Sequence, residues 1–401
     1  MAAYRGTRGV EPPKPKKEKV SKATNSDFID ISSKSTKAVH KKRNTIIQVV
    51  AIVMAVIFTA CGGALVYASS IIGSITDDSA DKDTKNYTVK DDRGNGVISD
   101  SKLLANKDVL NVMLFGQDNK ESKYDAGRSD TMILLSVDVT NKQIKLTSFL
   151  RDTYVYIPSG DDFEGWYKLN AAYSHGGAKL TVKTIESNFG IKVDRYGIVD
   201  FSGFKDVINA LGGVTIPITG VEARYINAQI DYNHQKCKKI PEKYCKSIYK
   251  KDKNGDYVYD SNGNKVEKTR NVKLNGQQAL WFCRDRGSEQ FSGSDFTRTS
   301  RQRRMLMGLI ESYKNSSVKE IKAITNKLKK YILTDLSKND LNWLIKYSYK
   351  FFTYKTSDKC YPEETSGWTD GTTDAGAWII QMNSWKDTRK DISHYIYTDL
   401  K

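Results

Sequence analysis

One stretch of this chain constrains everything around it. From Asn44 to Thr76 no residue is charged, and its centre, Ile46 to Tyr67, is long and apolar enough to cross a bilayer as a helix. Lys41, Lys42 and Arg43 stand before it, and Asp77, Asp78 and Asp81 after it. That bias orients the N-terminus to the cytoplasm and everything beyond about residue 77 to the outside of the cell. Val66-Tyr67-Ala68 would pass as a signal-peptide cleavage site, but the basic and apolar regions are both far longer than secretory signals use. The expectation is therefore an uncleaved single-pass anchor in the cell membrane.

The rest of the chain divides around that span. Residues 1–43 hold twelve Lys/Arg against four Asp/Glu, with prolines at 12, 13 and 15, which predicts a disordered basic cytoplasmic tail. The anchor itself covers 44–72, and a charged, hydroxyl-rich linker follows over 73–107. The main domain is expected over 108–335, with a lysine- and tyrosine-rich insertion at 222–272, and a C-terminal extension of helix and edge strand over 336–401. The formal charge of +17 suits an anionic partner. With the globular part outside, that partner is wall polymer or lipid headgroup, and nucleic acid is excluded.

Of five cysteines, Cys61 falls in the span and Cys283 sits beside Trp281 and Phe282, where a buried apolar role fits better than a nucleophile. Cys237 and Cys245 share one lysine-rich stretch, and a disulfide or two free thiols both remain open.

Apolar runs at Val109–Phe115, Met132–Val139 and Ile144–Phe149 predict strands. Lys168–Phe189 has helical spacing broken at Gly176-Gly177, Phe204–Leu211 is helical to its Gly212-Gly213 stop, and Val214–Ile218 returns to strand. This alternation implies an α/β fold: a central mixed β-sheet flanked by helices and preceded by one transmembrane helix. The insertion, with Asn254-Gly255 and Asn262-Gly263 turns, reads as a surface hairpin, and Asp260–Asn264 lacks the glycine position and glutamate of a calcium loop. Helices are expected over Asp295–Lys314, Val318–Leu333 and Leu341–Phe352, and an edge strand at Tyr395–Tyr397.

Charged residues cluster in four islands: Gly116-Gln117-Asp118, Arg128-Ser129-Asp130-Thr131, Arg151-Asp152-Thr153, and Arg284-Asp285-Arg286 followed by Arg298 to Gln302. Asp118 follows one strand and Asp130 opens the next, so both carboxylates can meet at one sheet edge. Two hard oxygen donors there suit Mg²⁺, which binds through one or two carboxylates plus substrate phosphates. Arg128 lies two residues from Asp130, on the same strand face. Arg151 ends the third strand, where it forms either an ion pair with Asp152 or part of an anion site. Arg298, Arg301 and Gln302 share one helix face by spacing. Guanidinium forks match phosphate oxygens bidentately, which accounts for arginine rather than lysine at these points. His175, beside the double glycine, is either a base or an ordinary loop histidine.

Longer words connect these islands: Leu169-Asn170-Ala171-Ala172-Tyr173, Ala210-Leu211-Gly212-Gly213-Val214 and Leu274-Asn275-Gly276-Gln277-Gln278-Ala279-Leu280. With them the stretch from about Val109 to Ile310 resembles the LytR-CpsA-Psr (LCP) family of wall-polymer transferases. The resemblance implies an LCP-like α/β sandwich and Mg²⁺-dependent transfer of a glycan phosphate, of teichoic acid or capsular type, from a polyprenyl-pyrophosphate carrier to peptidoglycan. By it Asp118 and Asp130 correspond to metal-associated, catalytic aspartates, Arg128, Arg151, Arg284 and Arg286 to pyrophosphate-binding arginines, and Arg298 and Gln302 to a supporting helix pair. Leu150 stands where the family usually has proline, and Trp281-Phe282-Cys283 replaces a small-and-tyrosine pattern. Rival readings of the same residues are a polyprenyl-pyrophosphate hydrolase and a non-catalytic anchored binder of anionic wall polymer. A pure anion binder would be weakened by Asp118 and Asp130, whereas a metal site requires them.

Overall fold

The computed structural model describes residues 103–117, 129–260, 263–286, 295–314, 332–334, 351–364 and 366–398. The tail, the anchor and nearly all of the linker lie outside the described residues, as do Asp118, Arg128 and most of the two helices expected over 318–333 and 341–352. Among the described residues no helix is long and apolar enough to cross a membrane.

Three strands, β1 (Val109–Gln117), β2 (Ser129–Asp138) and β3 (Gln143–Phe149), pair antiparallel where the apolar runs predict them. A hairpin of β4 (Tyr154–Ile157) and β5 (Gly165–Lys168) leads into α1 (Leu169–Phe189). Next come β6 (Arg195–Asp200), α2 (Phe201–Ala210), β7 (Val214–Ile218), α3 (Gly220–Tyr232), β8 (Arg270–Leu274), α4 (Gly276–Arg284) and α5 (Asp295–Lys314). The described chain closes with β9 (Ile332–Thr334), β10 (Lys355–Tyr361), β11 (Trp368–Thr372), β12 (Trp378–Met382) and α6 (Trp385–Tyr397).

Six strands form the central sheet in the order β10-β3-β2-β1-β6-β9. β6 joins β1 and β10 joins β3 in parallel, and the other neighbours are antiparallel, so the sheet is mixed as expected. Strand alternation splits the core in two. Leu110, Val112, Ile133, Leu135 and Val137 pack against α2 to α5 and the β7–β8 pair, whereas Val109, Met113, Phe115, Met132 and Leu134 pack against α1 and α6. Helix α1 breaks at the double glycine, where Gly177 takes φ 64 and a Cβ on Gly176 would meet Leu180 Cβ at 2.5 Å.

Three expectations are corrected, and the open state of Cys237 and Cys245 is resolved. Tyr395–Tyr397 is the end of α6 and not a strand, because Trp385, Thr388, Ile392 and Ile396 recur at three and four residues and are buried, and that stripe overrides the β propensity of the tripeptide. The buried Lys145 meets the end of α6, its Nζ donating to the carbonyls of Ile396 at 3.0 Å and Thr398 at 2.6 Å, a cation at the negative pole of a helix. Ile332–Thr334, expected at the end of a helix, is a strand beside β6. The insertion begins as a core helix and not as a hairpin: Thr219 and Glu222 form a capping box on α3, and Ala223, Ile226 and Ile230 are buried. Cys237 and Cys245 are free thiols with separate partners: Cys245 Sγ lies 3.4 Å from Asn227 Nδ2 and Cys237 Sγ 3.3 Å from Asn275 Nδ2.

Candidate active site

The site is built around a fault in the ladder between β1 and β2. Gly116 pairs with Thr131 but Gln117 pairs with Ser129, leaving Asp130 as the extra residue of a β-bulge, a device that re-aims a side chain. Ser129 pins it, its hydroxyl donating to the carbonyls of Thr131 at 2.8 Å and Gly116 at 3.3 Å. Gly116 is needed for the close approach, since a Cβ there would stand 2.9 Å from Thr131 Cβ.

Three arginines from three elements reach the carboxylate so presented. Arg151, just beyond β3, donates from Nη1 to Asp130 Oδ1 at 2.7 Å. Arg298, in the first turn of α5, donates from Nη1 to Asp130 Oδ2 at 3.3 Å and from Nη2 to the Asp130 carbonyl at 3.0 Å. Arg286, beyond α4, has Nη2 3.6 Å from Asp130 Oδ2. Burial by itself would raise the Asp130 pKa, but the charge of Arg298, the hydrogen bond from Arg151 and the charges of Arg151 and Arg286 outweigh it and hold the carboxyl below its ordinary value. The Asp130 side chain is still 42% exposed while that of Arg298 is only 3% exposed, so the cluster opens outward at the carboxylate.

Behind this ring stands a second carboxylate that the islands did not reveal. Asp295 lies 2.5 Å from Arg298 Nη2 and 3.5 Å from Arg151 Nε, at ion-pair and not hydrogen-bond geometry. Burial pushes its pKa up, against the pull of Arg298 and Arg151. Its place three residues before Arg298 on one helix was the available signal. Arg151 also donates from Nε to Asp152 Oδ2 at 3.2 Å, and Lys168 holds the other oxygen of Asp152 at 2.8 Å. Arg151 therefore keeps the ion pair with Asp152 while it also reaches Asp130. Leu150 uses the N–H that a proline would lack, donating to the Tyr361 carbonyl at 3.2 Å and tying the Arg151 loop to β10.

Asp130, Arg298 and Arg286 line a pocket of about 480 Å³. Its interior is apolar, with Leu114, Val199, Phe201, Phe204, Leu280 and Met305 among its walls. Arg284 lines it too, lying over Phe201 at 5.0 Å and Trp281 at 5.4 Å, away from Asp130. Gln302, one turn beyond Arg298, is a lining residue whose buried Oε1 has no hydrogen-bond partner among the described residues. Cys283 is in the wall with its thiol pushed up to about 12 by burial, which rules it out as a nucleophile at neutral pH. Phe201 and Phe204 open α2 and stand at helical spacing, a signal that reads equally as core.

Arg301, expected on the same helix face, does not join, and neither does His175, whose role the sequence leaves open. Arg301 turns to the other flank of α5, its Nε donating to Glu222 Oε1 at 2.8 Å and its Nη1 to the Asp285 carbonyl at 3.0 Å. His175 bonds Asp161 at 2.8 Å and stacks on Phe163 at 4.1 Å, outside the pocket lining. Asp118 and Arg128, outside the described residues, follow β1 and precede β2 in sequence. Among the described residues no three His, Cys, Asp or Glu side chains form a metal cage. One carboxylate in an arginine-lined pocket fits a Mg²⁺ completed by substrate phosphates, the way that ion is usually held.

The LytR_cpsA_psr family model matches residues 69–387. The polyisoprenyl-teichoic acid--peptidoglycan teichoic acid transferase TagV of Bacillus subtilis (strain 168) is 29% identical over 253 residues, 63% of this chain and 56% of that protein. The corresponding transferase TagU of Enterococcus faecalis is 29% identical over 240 residues, 59% of this chain and 65% of that protein. The match thus spans less than two thirds of either relative. Among solved structures, TagT bound to LIIa-WTA aligns with a TM-score of 0.52 at 22% identity, covering 77% of this chain and 100% of that one. Protein gbs0355 from Streptococcus agalactiae aligns at 0.52 with 20% identity, covering 73% and 89%. At these identities the structures share the fold.

Proposed function

The chain belongs to the LytR-CpsA-Psr family, and on that premise we propose that it is a membrane-anchored phosphotransferase that moves a glycan phosphate from a polyprenyl-pyrophosphate carrier to peptidoglycan outside the cell. The observation that carries this is that Asp130 and two of its three arginines, Arg286 and Arg298, line a pocket whose other walls are largely apolar. A polyprenyl pyrophosphate has the same two parts, an anionic head and a hydrocarbon tail. The teichoic acid transferase names of the relatives support the polymer class.

In this mechanism Arg151, Arg286 and Arg298 grip the pyrophosphate oxygens and Arg284 extends the cationic wall along the donor. A sugar hydroxyl of the acceptor attacks the glycan-linked phosphorus. A new P–O bond forms, the bond to polyprenyl phosphate breaks, and the hydroxyl proton leaves to a base at the site. Positioning and charge neutralisation account for most of such a reaction. Asp130, with Asp118 as the sequence leads one to expect, would hold Mg²⁺, which would supply further neutralisation of the phosphates. The arginines keep Asp130 ionised, which makes it a good metal ligand and a weak base. The site requires no covalent intermediate.

The test is transfer of labelled glycan from polyprenyl pyrophosphate to a peptidoglycan fragment by the full chain, with Mg²⁺ or EDTA and with Arg151→Ala in parallel. Metal-dependent transfer lost in the variant is the expected result. Phosphate release without transfer would mean a hydrolase, and tight donor binding with neither would mean a binder.

A further inference from the structure

Residues 248–260 and 263–268, beyond α3, form a small unit that belongs neither to the pocket nor to the core. Its sequence repeats every eight residues: Tyr249-Lys250-Lys251-Asp252 and Asn254-Gly255, then Tyr257-Val258-Tyr259-Asp260 and Asn262-Gly263, then Lys265-Val266-Glu267. The three stretches bridge one another pairwise, Lys251 to Tyr257, Tyr259 to Lys265 and Tyr249 to Glu267. Their middle residues close a ring of backbone hydrogen bonds, Lys250 N–H to Val266 O at 2.8 Å, Val266 N–H to Val258 O at 2.8 Å and Val258 N–H to Lys250 O at 3.1 Å. The result is a triangle with pseudo-threefold symmetry, where the two Asn-Gly turns had pointed to a hairpin.

Two corners of the triangle are acidic and self-contained. Asp252 Oδ1 accepts from the backbone N–H of Asn254 at 2.8 Å and of Asp256 at 3.0 Å, and Asp260 Oδ1 accepts from that of Asn264 at 2.8 Å. Gly255 and Gly263 turn those corners at φ 90 and 78. Between the corners the equivalent residues Tyr249, Tyr257 and Lys265 come together. Lys265 Nζ stands 3.9 Å from the Tyr257 ring centre and 5.8 Å from that of Tyr249, Lys251 Nζ is 5.0 Å from Tyr257, and the two rings meet edge-on at 6.2 Å. Both rings, and Tyr259 beside them, are exposed. An ammonium over a ring face still has N–H donors to offer an anion.

We propose that this triangle is a docking surface for an anionic, phosphate-bearing polymer chain, with phosphates on Lys251 and Lys265 and polyol or sugar units against the tyrosines. Charge complementarity favours that occupant: residues 248–268 hold five lysines and four carboxylates, the stretch 236–247 leading to them adds five lysines against one glutamate, and Asp252 and Asp260 are engaged with their own turns while Glu267 accepts from the Gly220 N–H at 2.7 Å. An anionic bilayer is a worse fit. A lipid plane meets the aspartates at the corners together with the lysines, whereas a narrow chain crosses the face between them. The surface would hold the growing polymer while its lipid-linked end is in the pocket, and so this inference rests on the reading that the donor carries such a polymer.

Binding without turnover separates the two. The full chain in detergent is titrated with lipid-free poly(glycerol phosphate) oligomers, with a neutral dextran of similar length, and with phosphatidylglycerol vesicles. Wild type should bind the oligomers in a salt-dependent manner and ignore dextran. Lys251→Gln/Lys265→Gln should weaken oligomer binding about tenfold through two lost charge-assisted contacts, with turnover of a donor carrying a single repeat unchanged. Unchanged oligomer affinity in the double variant overturns the inference, and so does loss of vesicle binding with oligomer binding intact. Lysine-dependent oligomer binding by a wild type that transfers nothing leaves the docking surface standing and removes the transferase reading.

Discussion

Helix α5 carries arginines to carboxylates on two flanks, and the two clusters are built for different purposes. On one flank Arg301 and Arg304 close on Glu222, which is buried and receives donors on both oxygens, including the N–H of Thr219 at 2.9 Å. On the other, Arg298 joins Arg151 and Arg286 around Asp130, whose carboxylate opens to solvent, with Asp295 and Gln302 left short of hydrogen bonds. The same residue types are spent on holding three helices together in one place and on waiting for an anion in the other. Exposure of the carboxylate, 42% for Asp130 against 6% for Glu222, more than the presence of arginine, distinguishes a brace from a binding site.

The largest break in that comparison is Glu222→Ala. It leaves Arg301 and Arg304 without their buried counter-ion and should cost about 3–5 kcal/mol of stability, read as a large fall in the denaturant midpoint. Transfer activity should fall only in proportion to the folded fraction. Asp130→Ala is the mirror image. Removing one preorganised charge from the site should lower transfer by about 10²–10³-fold while the unfolding midpoint stays near that of wild type. If Asp130→Ala instead unfolds the chain, or keeps full metal-dependent turnover, the two clusters are not different in kind.

How far these clusters could be read in advance follows from what each depends on. Strands β1 to β3 and the break in α1 rest on local patterns, apolar runs and a double glycine, and they stand where expected. Asp130 was legible as a residue but not as a bulge, because the bulge is a property of pairing with β1. Arg298 and Arg301 stand three residues apart, and spacing alone put them on one face; 60° of rotation is enough to send them to different partners. Glu222 was assigned to an insertion although Thr219 and Glu222 spell a capping box, and the hydrophobic stripe behind it, Ala223, Ile226 and Ile230, was the confirming sign. The pocket's apolar wall had no signature of its own, since Phe201, Phe204 and Met305 would look the same in a packed core.

A pH titration sharpens the same contrast. Burial would raise the Glu222 pKa, but Arg304 and Arg301 hold it below the ordinary 4.5. A depressed folded value means that its contribution is fully present above the unfolded pKa and is lost as pH falls through the folded one. Glu222→Gln should therefore flatten the acid limb of the stability curve, measured as the unfolding midpoint from neutral pH downward. The Asp130 carboxyl is also depressed, but it is exposed enough that Asp130→Asn should change the limb much less. An equal flattening in both variants would erase the distinction between brace and site.

The smallest effect tests what the open cluster costs. Gln302 has a buried Oε1 with no hydrogen-bond partner among the described residues, and such a group carries a desolvation penalty that an apolar residue of like size does not. Gln302→Leu should therefore raise stability by about 1 kcal/mol, near the low end of that penalty, a shift readable in the denaturant midpoint. Transfer should fall at the same time if Gln302, which lines the pocket with Arg298, helps to seat the proposed donor. A variant that is both more stable and less active would show that the site is held in an unsatisfied state for its ligand. A variant that loses stability would mean that Gln302 belongs with Glu222, as part of the packing of α5, and the open flank would then shrink to the three arginines and Asp130.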